Sequence, residues 1–118
     1  MAIHNIIGKV GEDIANEWLK VHEYEILARN WRWGRNEIDF VCSKNGVVVV
    51  VEVKCRSQIP EDITTLLPLK KQRAIVRTAA RWLAENKMSA ELRFDLLTVD
   101  INTKKVDHFP DAIMVYDI

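Results

Sequence analysis

The sequence predicts a mixed α/β fold, in which helices flank a β-sheet and the elements follow the order α-β-β-β-α-β-β. Apolar residues recur at helical spacing in two separate stretches of the chain, and two apolar β-branched runs flank Asn45-Gly46. These runs are apolar on both faces, which is typical of strands that other elements cover from both sides. With 118 residues, the chain is expected to form a single domain spanning residues 1–118.

The first helix is predicted over residues 5–22, followed by a strand over residues 24–30. In the helix, apolar side chains recur at spacings of three and four, at Ile7, Val10, Ile14, Trp18 and Val21. Such spacing places them on one face of a helix. Residues 31–36 are expected to form a turn in which Trp31 packs into the core.

Asn45-Gly46 between two strands is the strongest short-range signal for a two-residue hairpin turn. The turn fixes a register that places Asp39 opposite Glu52, and Glu37 opposite Lys54. Opposed residues share a face and side chains alternate along a strand, so these four side chains are expected to form one cluster. The same alternation places Ile38 with Phe40 on the other face.

After the hairpin, the sequence predicts a loop over residues 56–67, a helix over residues 68–86 and two further strands. Pro68 is a favourable first-turn residue of a helix. The helix carries a basic stripe at spacings of three, four and four, formed by Lys70, Arg73, Arg77 and Arg81. Such a stripe is usually only a solvated face, and a nearby phosphate site would favour a binding role instead. The strands are predicted at residues 91–101 and 106–109, and the apolar tail over residues 111–118 is expected to pack back or to enter a partner interface.

The charge distribution favours binding of a polyanion, although 17 basic and 17 acidic residues balance over the whole chain. Residues 29–81 contain eleven Lys and Arg residues against five Asp and Glu residues, and the flanks are acidic. A basic middle of this kind is typical of a nucleic-acid-binding face. No apolar run has the length of a membrane span, no signal peptide is recognisable, and Cys42 and Cys55 are not expected to pair. A cytoplasmic protein is therefore expected, without membrane association.

The acids of the predicted cluster need compensation by a shared proton, a cation or a metal ion. Mg²⁺ prefers one or two carboxylates together with phosphate and water oxygens. Lys54, two residues after Glu52, could orient an attacking water or offset negative charge. The plain structural alternative is an ion-pair network at a strand end, in which Lys54 pairs with Glu37 and Asp39, and the residues alone leave both interpretations open.

Asp39 followed by Glu52-Val53-Lys54 resembles the PD-(D/E)xK signature of the restriction-endonuclease-like superfamily. Other stretches are similar to the bacterial YraN-like family of predicted endonucleases, which resembles archaeal Holliday-junction resolvases. They are Gly11-Glu12-Asp13-Ile14-Ala15, Tyr24-Glu25-Ile26-Leu27-Ala28-Arg29-Asn30-Trp31-Arg32, Glu37-Ile38-Asp39, Glu52-Val53-Lys54-Cys55-Arg56 and Arg93-Phe94-Asp95. Asn36 stands where this family is expected to have glycine. The resemblance implies a restriction-endonuclease-like fold and a metal-dependent DNA endonuclease.

The resemblance also implies roles for individual residues. Asp39, Glu52 and the Val53 carbonyl would hold Mg²⁺ or Mn²⁺, and Lys54 would act with the metal on the attacking water. Glu12, which from the helix pattern alone is only an acid near the helix start, would join the active site. The positions of further residues beside this site, rather than the resemblance, predict DNA contacts at Arg32, Arg35, Arg56, Lys71 and Arg73, with Glu37 and Gln72 as supporting residues and Glu37 positioning Lys54. Resolvases cut two symmetric strands, so a homodimer is also implied.

Two other functions stay open at this point. The first is a catalytically silent nucleic-acid-binding module with a nuclease-like fold, although such a copy would be expected to have lost Asp39, Glu52 or Lys54. The second is a structural interaction protein, for which the charge segregation would be accidental.

Overall fold

The computed structural model describes residues 3–113, with side chains from residue 6 onward. Its elements follow the predicted order: α1 (Ile3–Val21), β1 (Glu25–Trp33), β2 (Asn36–Lys44), β3 (Val47–Arg56), α2 (Leu69–Glu85), β4 (Leu92–Asp100) and β5 (Val106–Phe109). A short 3₁₀ helix, Ile63–Leu66, lies inside the predicted loop before α2. Among the described residues, no helix is long and apolar enough to cross a bilayer.

The five strands form one mixed sheet in the order β1-β2-β3-β4-β5. Neighbouring strands are antiparallel except for β3 and β4, which run parallel. Parallel neighbours need a crossover connection, and α2 supplies it. The central strand β3 therefore has a hairpin partner on one side and a crossover partner on the other.

The helices cover opposite faces of the sheet, as the doubly apolar strands predicted. On one face, Ala15 and Leu19 of α1 pack with Phe40, Val49 and Val51. On the other face, α2 contributes buried Ile75, Val76, Ala79 and Trp82, which pack against Val41, Val48 and Val50. The acidic and basic residues at the end of β3 are thus held between two packed layers.

The hairpin between β2 and β3 forms at Asn45-Gly46, where φ is 51° and 80°. Positive φ at both positions is what a type I′ turn requires. The predicted register is confirmed from Lys44–Val47 to Phe40–Val51. Within the described residues the pairing ends there, so the expected strand pairs Asp39–Glu52 and Glu37–Lys54 are wrong.

Two further expectations about local structure need correction. Strand β1 continues through Trp33, so the turn predicted over residues 31–36 shrinks to Gly34-Arg35. Ile38 packs on the α2 face, away from Phe40. The start of the tail does pack back, since Ile113 is buried on the α2 side, whereas residues 114–118 lie outside the described residues.

Asp95 anchors β4 to the segment that follows β5. Its carboxylate accepts hydrogen bonds from Nε and Nη2 of Arg93 at 2.9 and 2.7 Å and from the Asp111 N–H at 3.0 Å, and His108 Nε2 lies 2.7 Å away. Burial raises the pKa of Asp95, but the hydrogen bonds from Arg93, His108 and Asp111 outweigh burial and lower it. Asp95 is therefore a buried acid whose charge is fully compensated.

Helix α1 approaches β3 most closely at Gly11. A methyl group added there would overlap Cβ and Sγ of Cys55, whereas no atom lies within 4 Å of the same addition at Gly8. Only a residue without a side chain allows this approach. Gly11 thereby brings the next residue, Glu12, to the sheet.

We expect Gly11→Ala to lower the free energy of unfolding by about 1–3 kcal/mol, because overpacking forces the helix away from the strand. Gly8→Ala is the matched control and should raise it by about 0.5–1 kcal/mol, since alanine favours the helix. Urea unfolding measures both changes. Equal stability of the two variants would contradict a close contact between α1 and β3.

Candidate active site

Asp39 occupies the seam between β2 and β3, where the two strands stop pairing. Its Oδ2 atom accepts a hydrogen bond from the Val53 N–H at 2.8 Å. A carboxylate thus takes the role that a backbone carbonyl would have in a continued ladder. The end of the hairpin is held open by a side chain that belongs to the acid cluster.

A change of face in β1 and β2 produces this placement. Ala28 and Trp31 both pack on the α2 face, as do Ile38 and Val41, although residues three apart in a regular strand point to opposite faces. The change occurs at Asn30, which has φ of 53° and lies between Arg29 and Trp31, whose partners Phe40 and Ile38 flank Asp39. The left-handed residue reorients both strands and leaves Asp39 in the seam.

Glu52 is the least compensated acid of the site. Its residue is 3% exposed, and its Oε1 atom is buried without a hydrogen-bond partner in the described part of the chain. Burial, and then the negative charge of Asp39, raise the pKa of Glu52 to about 8. Burial also raises the pKa of Asp39, against the hydrogen bond from Val53.

Glu12 approaches the pair from α1. It is partly buried, and its pKa is raised by burial and by the charge of Asp39. Arg29 and the side-chain amide of Asn30 act in the opposite direction and lower the pKa of Glu12. Asp39 therefore interacts electrostatically with both other predicted acids, Glu12 and Glu52.

Two lysines balance part of this charge. The positive charges of Lys54 and Lys71 both lower the pKa of Asp39 and of Glu52. Lys54 follows Glu52 by two residues on β3, whereas Lys71 extends from the first turn of α2. Lys71, which the sequence interpretation assigned to DNA contacts, thus acts on the acids as well.

The other predicted residues surround this cluster at different distances. Glu37 forms an ion pair with Arg32 at 3.0 Å, its only ion pair in the described residues, so the expected pairing of Glu37 with Lys54 is wrong. Arg56 donates from Nη1 to the Cys55 carbonyl. Gln72 donates to the Leu67 carbonyl at 2.7 Å and anchors the start of α2, while Arg35 and Arg73 are exposed.

Two open cavities meet at Gly8 and Glu12. One, of about 510 Å³, is lined by Ile7, Gly8, Glu12, Val53, Lys54, Cys55, Arg56 and Ser57. The other, of about 400 Å³, is lined by Gly8, Lys9, Glu12, Arg29, Asn30, Arg32 and Glu37. Asp39 and Glu52 line neither cavity, whereas Glu12 lines both and Lys54 lines the larger one.

The oxygen-rich cluster fits a hard divalent cation. No three His, Cys, Asp or Glu side chains within the described range are arranged to hold one ion. Mg²⁺, however, commonly takes only one or two carboxylates together with water and phosphate. Oε1 of Glu52 has no hydrogen-bond partner among the described residues, and the pKa values of both acids are raised although Lys54 and Lys71 lower them. The two lysines thus compensate the acids only in part, and a cation at Asp39, Glu52 and the Val53 carbonyl would add the missing positive charge.

Sequence reasoning missed Arg29 and Asn30. Arg29 Nη2 contacts Asp13 Oδ1 at 2.6 Å, and its Nε atom is buried without a partner among the described residues. Both residues belong to one of the stretches that resemble the YraN-like family, and this resemblance is the sequence signal that could have identified them. A left-handed residue inside a strand leaves no trace in hydrophobic periodicity, so the pattern alone could not find Asn30.

Comparison with known proteins gives a family without a described activity. A family model described as "Uncharacterised protein family UPF0102" matches residues 11–99. A UPF0102 protein of Bacteroides fragilis is 39% identical over 95% of both chains. One from Flavobacterium psychrophilum is 39% identical over 95% of this chain and 97% of its own, and one from Beutenbergia cavernae is 39% identical over 84% and 86%.

The raised pKa of Glu52 predicts that the metal-free protein loses stability as the pH rises. An unfolded glutamate releases its proton near its ordinary pKa of 4.5, whereas folded Glu52 keeps it up to about 8. Between these values the folded state binds the extra proton, so stability is full below about 4.5 and is lost as the pH approaches 8. Glu52→Gln should therefore raise Tm at pH 8 by roughly 5 °C and flatten its pH dependence.

Thermal unfolding in EDTA at several pH values measures this effect. Glu17→Gln is the control for loss of one carboxylate, because the Glu17 side chain is 74% exposed. If Glu52→Gln lowered Tm equally at every pH, Glu52 would not be an acid destabilised by burial.

Proposed function

We propose that this chain, which belongs to the uncharacterised protein family UPF0102, is a metal-dependent DNA endonuclease of the PD-(D/E)xK class. One observation carries the proposal: the buried carboxylate of Glu52 has an unpartnered oxygen beside Asp39, two residues from Lys54. The names of the relatives state no activity, so the support comes from the geometry and the signature residues.

Asp39, Glu52 and the Val53 carbonyl would hold Mg²⁺ or Mn²⁺, with Glu12 at the solvent side of the cluster. When bound, such a cation polarises a phosphate and lowers the pKa of a coordinated water. The chain excludes water from Glu52, which is almost fully buried. Electrostatic effects are stronger away from water. The hydrogen bond from the Val53 N–H restrains the Asp39 carboxylate.

Lys54 would serve the attacking water or the charged transition state. It lines the larger cavity together with Glu12 and Arg56, and its charge acts on both buried acids. An ammonium group in this position can orient a water, take part in its deprotonation or stabilise charge that develops on the phosphate. Its contact with the cavity and its electrostatic effect on both acids support this role.

Cations around the cavities would bind the DNA backbone. Arg56 borders the larger cavity and Arg32 the smaller one, and Arg35 and Arg73 are exposed. Guanidinium groups bind phosphate oxygens in a bidentate manner. Branched DNA as the substrate, and a homodimer that cuts two strands, follow by analogy with resolvases.

A catalytically silent DNA-binding module is the second candidate function. Asp39 and Glu52 line neither cavity, and this burial favours a fold that binds DNA without cutting it. The retained trio of Asp39, Glu52 and Lys54 favours the nuclease.

We expect Mg²⁺- or Mn²⁺-dependent cleavage of at least one DNA among labelled four-way junctions, flaps, single strands and linear duplexes. Asp39→Asn, Glu52→Gln and Lys54→Ala should each lower the cleavage rate by about 100-fold or more, because each removes a group that acts on the transition state. EDTA should abolish cleavage, and Glu17→Gln should leave it unchanged. Binding without cleavage in every metal would identify the silent module instead.

A further inference from the structure

Trp33 presents an aromatic ring to solvent at the end of β1. Its residue is 43% exposed, and the guanidinium carbon of Arg81 lies 5.1 Å from the ring centroid. The other tryptophans are engaged in packing: Trp82 is 5% exposed, Trp31 packs on the α2 core, and Trp18 stacks on His22. Trp33 and Arg81 therefore join the tip of the β1–β2 hairpin to α2.

The basic stripe of α2 carries cations that are free to meet a polyanion. Lys70, Arg73 and Arg77 are exposed, and none of them has an acidic partner in the described residues, whereas Arg81 pairs with Glu85 at 2.9 Å. At about 1.5 Å per residue, the stripe extends for roughly 16 Å from Lys70 to Arg81. Its far end is the cation that lies over Trp33.

Both ends of this surface are close to the buried acids. Lys71, next to Lys70, acts electrostatically on Asp39 and Glu52. The neighbours of Asn30 pair with the residues on either side of Asp39, and Trp33 follows Asn30 by three residues, roughly 10 Å along the strand. A DNA strand bound to this surface would therefore pass close to the acids.

We propose that Trp33 and the α2 stripe bind unpaired nucleotides of a DNA strand, with a base stacked on the indole and the backbone phosphates on Lys70, Arg73 and Arg77. This assignment rests on the proposed nuclease function and narrows its substrate to DNA with an unpaired segment. Bases in a duplex are stacked on each other and offer their faces to no side chain, whereas an unpaired base stacks readily on tryptophan. The indole recognises the unpaired state rather than a sequence.

Fluorescence anisotropy in EDTA tests this binding without cleavage. The probes are a fluorescein-labelled oligothymidylate of about 20 nucleotides and a blunt duplex of equal length. Trp33→Ala should weaken binding of the oligothymidylate by about 10-fold and of the duplex by less than about 2-fold, and Trp33→Phe should lose less because it retains a ring. Quenching of tryptophan fluorescence by the oligothymidylate should decrease in both variants.

The double variant Lys70→Gln/Arg77→Gln tests the role of the stripe. Lys20→Gln on α1 is the control for the loss of an exposed cation elsewhere. The double variant should weaken both probes and reduce the salt slope for the single strand by about 1.4, or about 0.7 for each lost phosphate contact. Circular dichroism and Tm establish that the variants are folded.

The proposal is overturned if Trp33→Ala affects the two probes equally or affects neither. It is equally overturned if the wild-type chain binds no single strand at low salt. Because these experiments contain no metal, a chain that binds as expected but cuts no DNA would contradict the nuclease function and leave the stacking surface established.

Discussion

The structure depends on the confinement of two carboxylates, Asp39 and Glu52, at the end of a buried hairpin. Removing charged groups from water without partners is strongly unfavourable. Asp95 in the same sheet illustrates the usual solution, because Arg93, His108 and a backbone N–H satisfy it and lower its pKa. Glu52 retains an unpartnered oxygen and a pKa raised to about 8, so one buried acid is fully satisfied and the other is not.

Several features of the fold serve this confinement. Asn30 changes the face of β1 and β2, and the Val53 N–H holds Asp39 in the resulting seam. Gly11 allows α1 to touch Cys55, which brings Glu12 to the same place. The crossover between the parallel strands β3 and β4 delivers Lys71 from the opposite face. A mutation of Asn30, Gly11 or Lys71 would therefore affect the acids through β1, α1 or α2, respectively.

Much of the fold could be predicted from the sequence because it follows from local rules. Helical periodicity located α1 and α2, and Asn45-Gly46 fixed the hairpin register as far as Phe40 and Val51. The acids were found because charges inside apolar strands are conspicuous. The opened seam could not be found in this way, since it depends on Asn30 in the neighbouring strand. The pairing of Glu37 with Arg32 depends on how β1 continues past the expected turn.

The most direct measurement is the anomalous X-ray signal of crystals grown with Mn²⁺. Our account predicts one strong peak within coordination distance of carboxylate oxygens from both Asp39 and Glu52, and its disappearance in Glu52→Gln. The account would be contradicted if these carboxylates held no Mn²⁺ at concentrations that occupy other sites. Glu52 would then be a buried acid that remains protonated, and the cluster would have no metal-dependent chemistry.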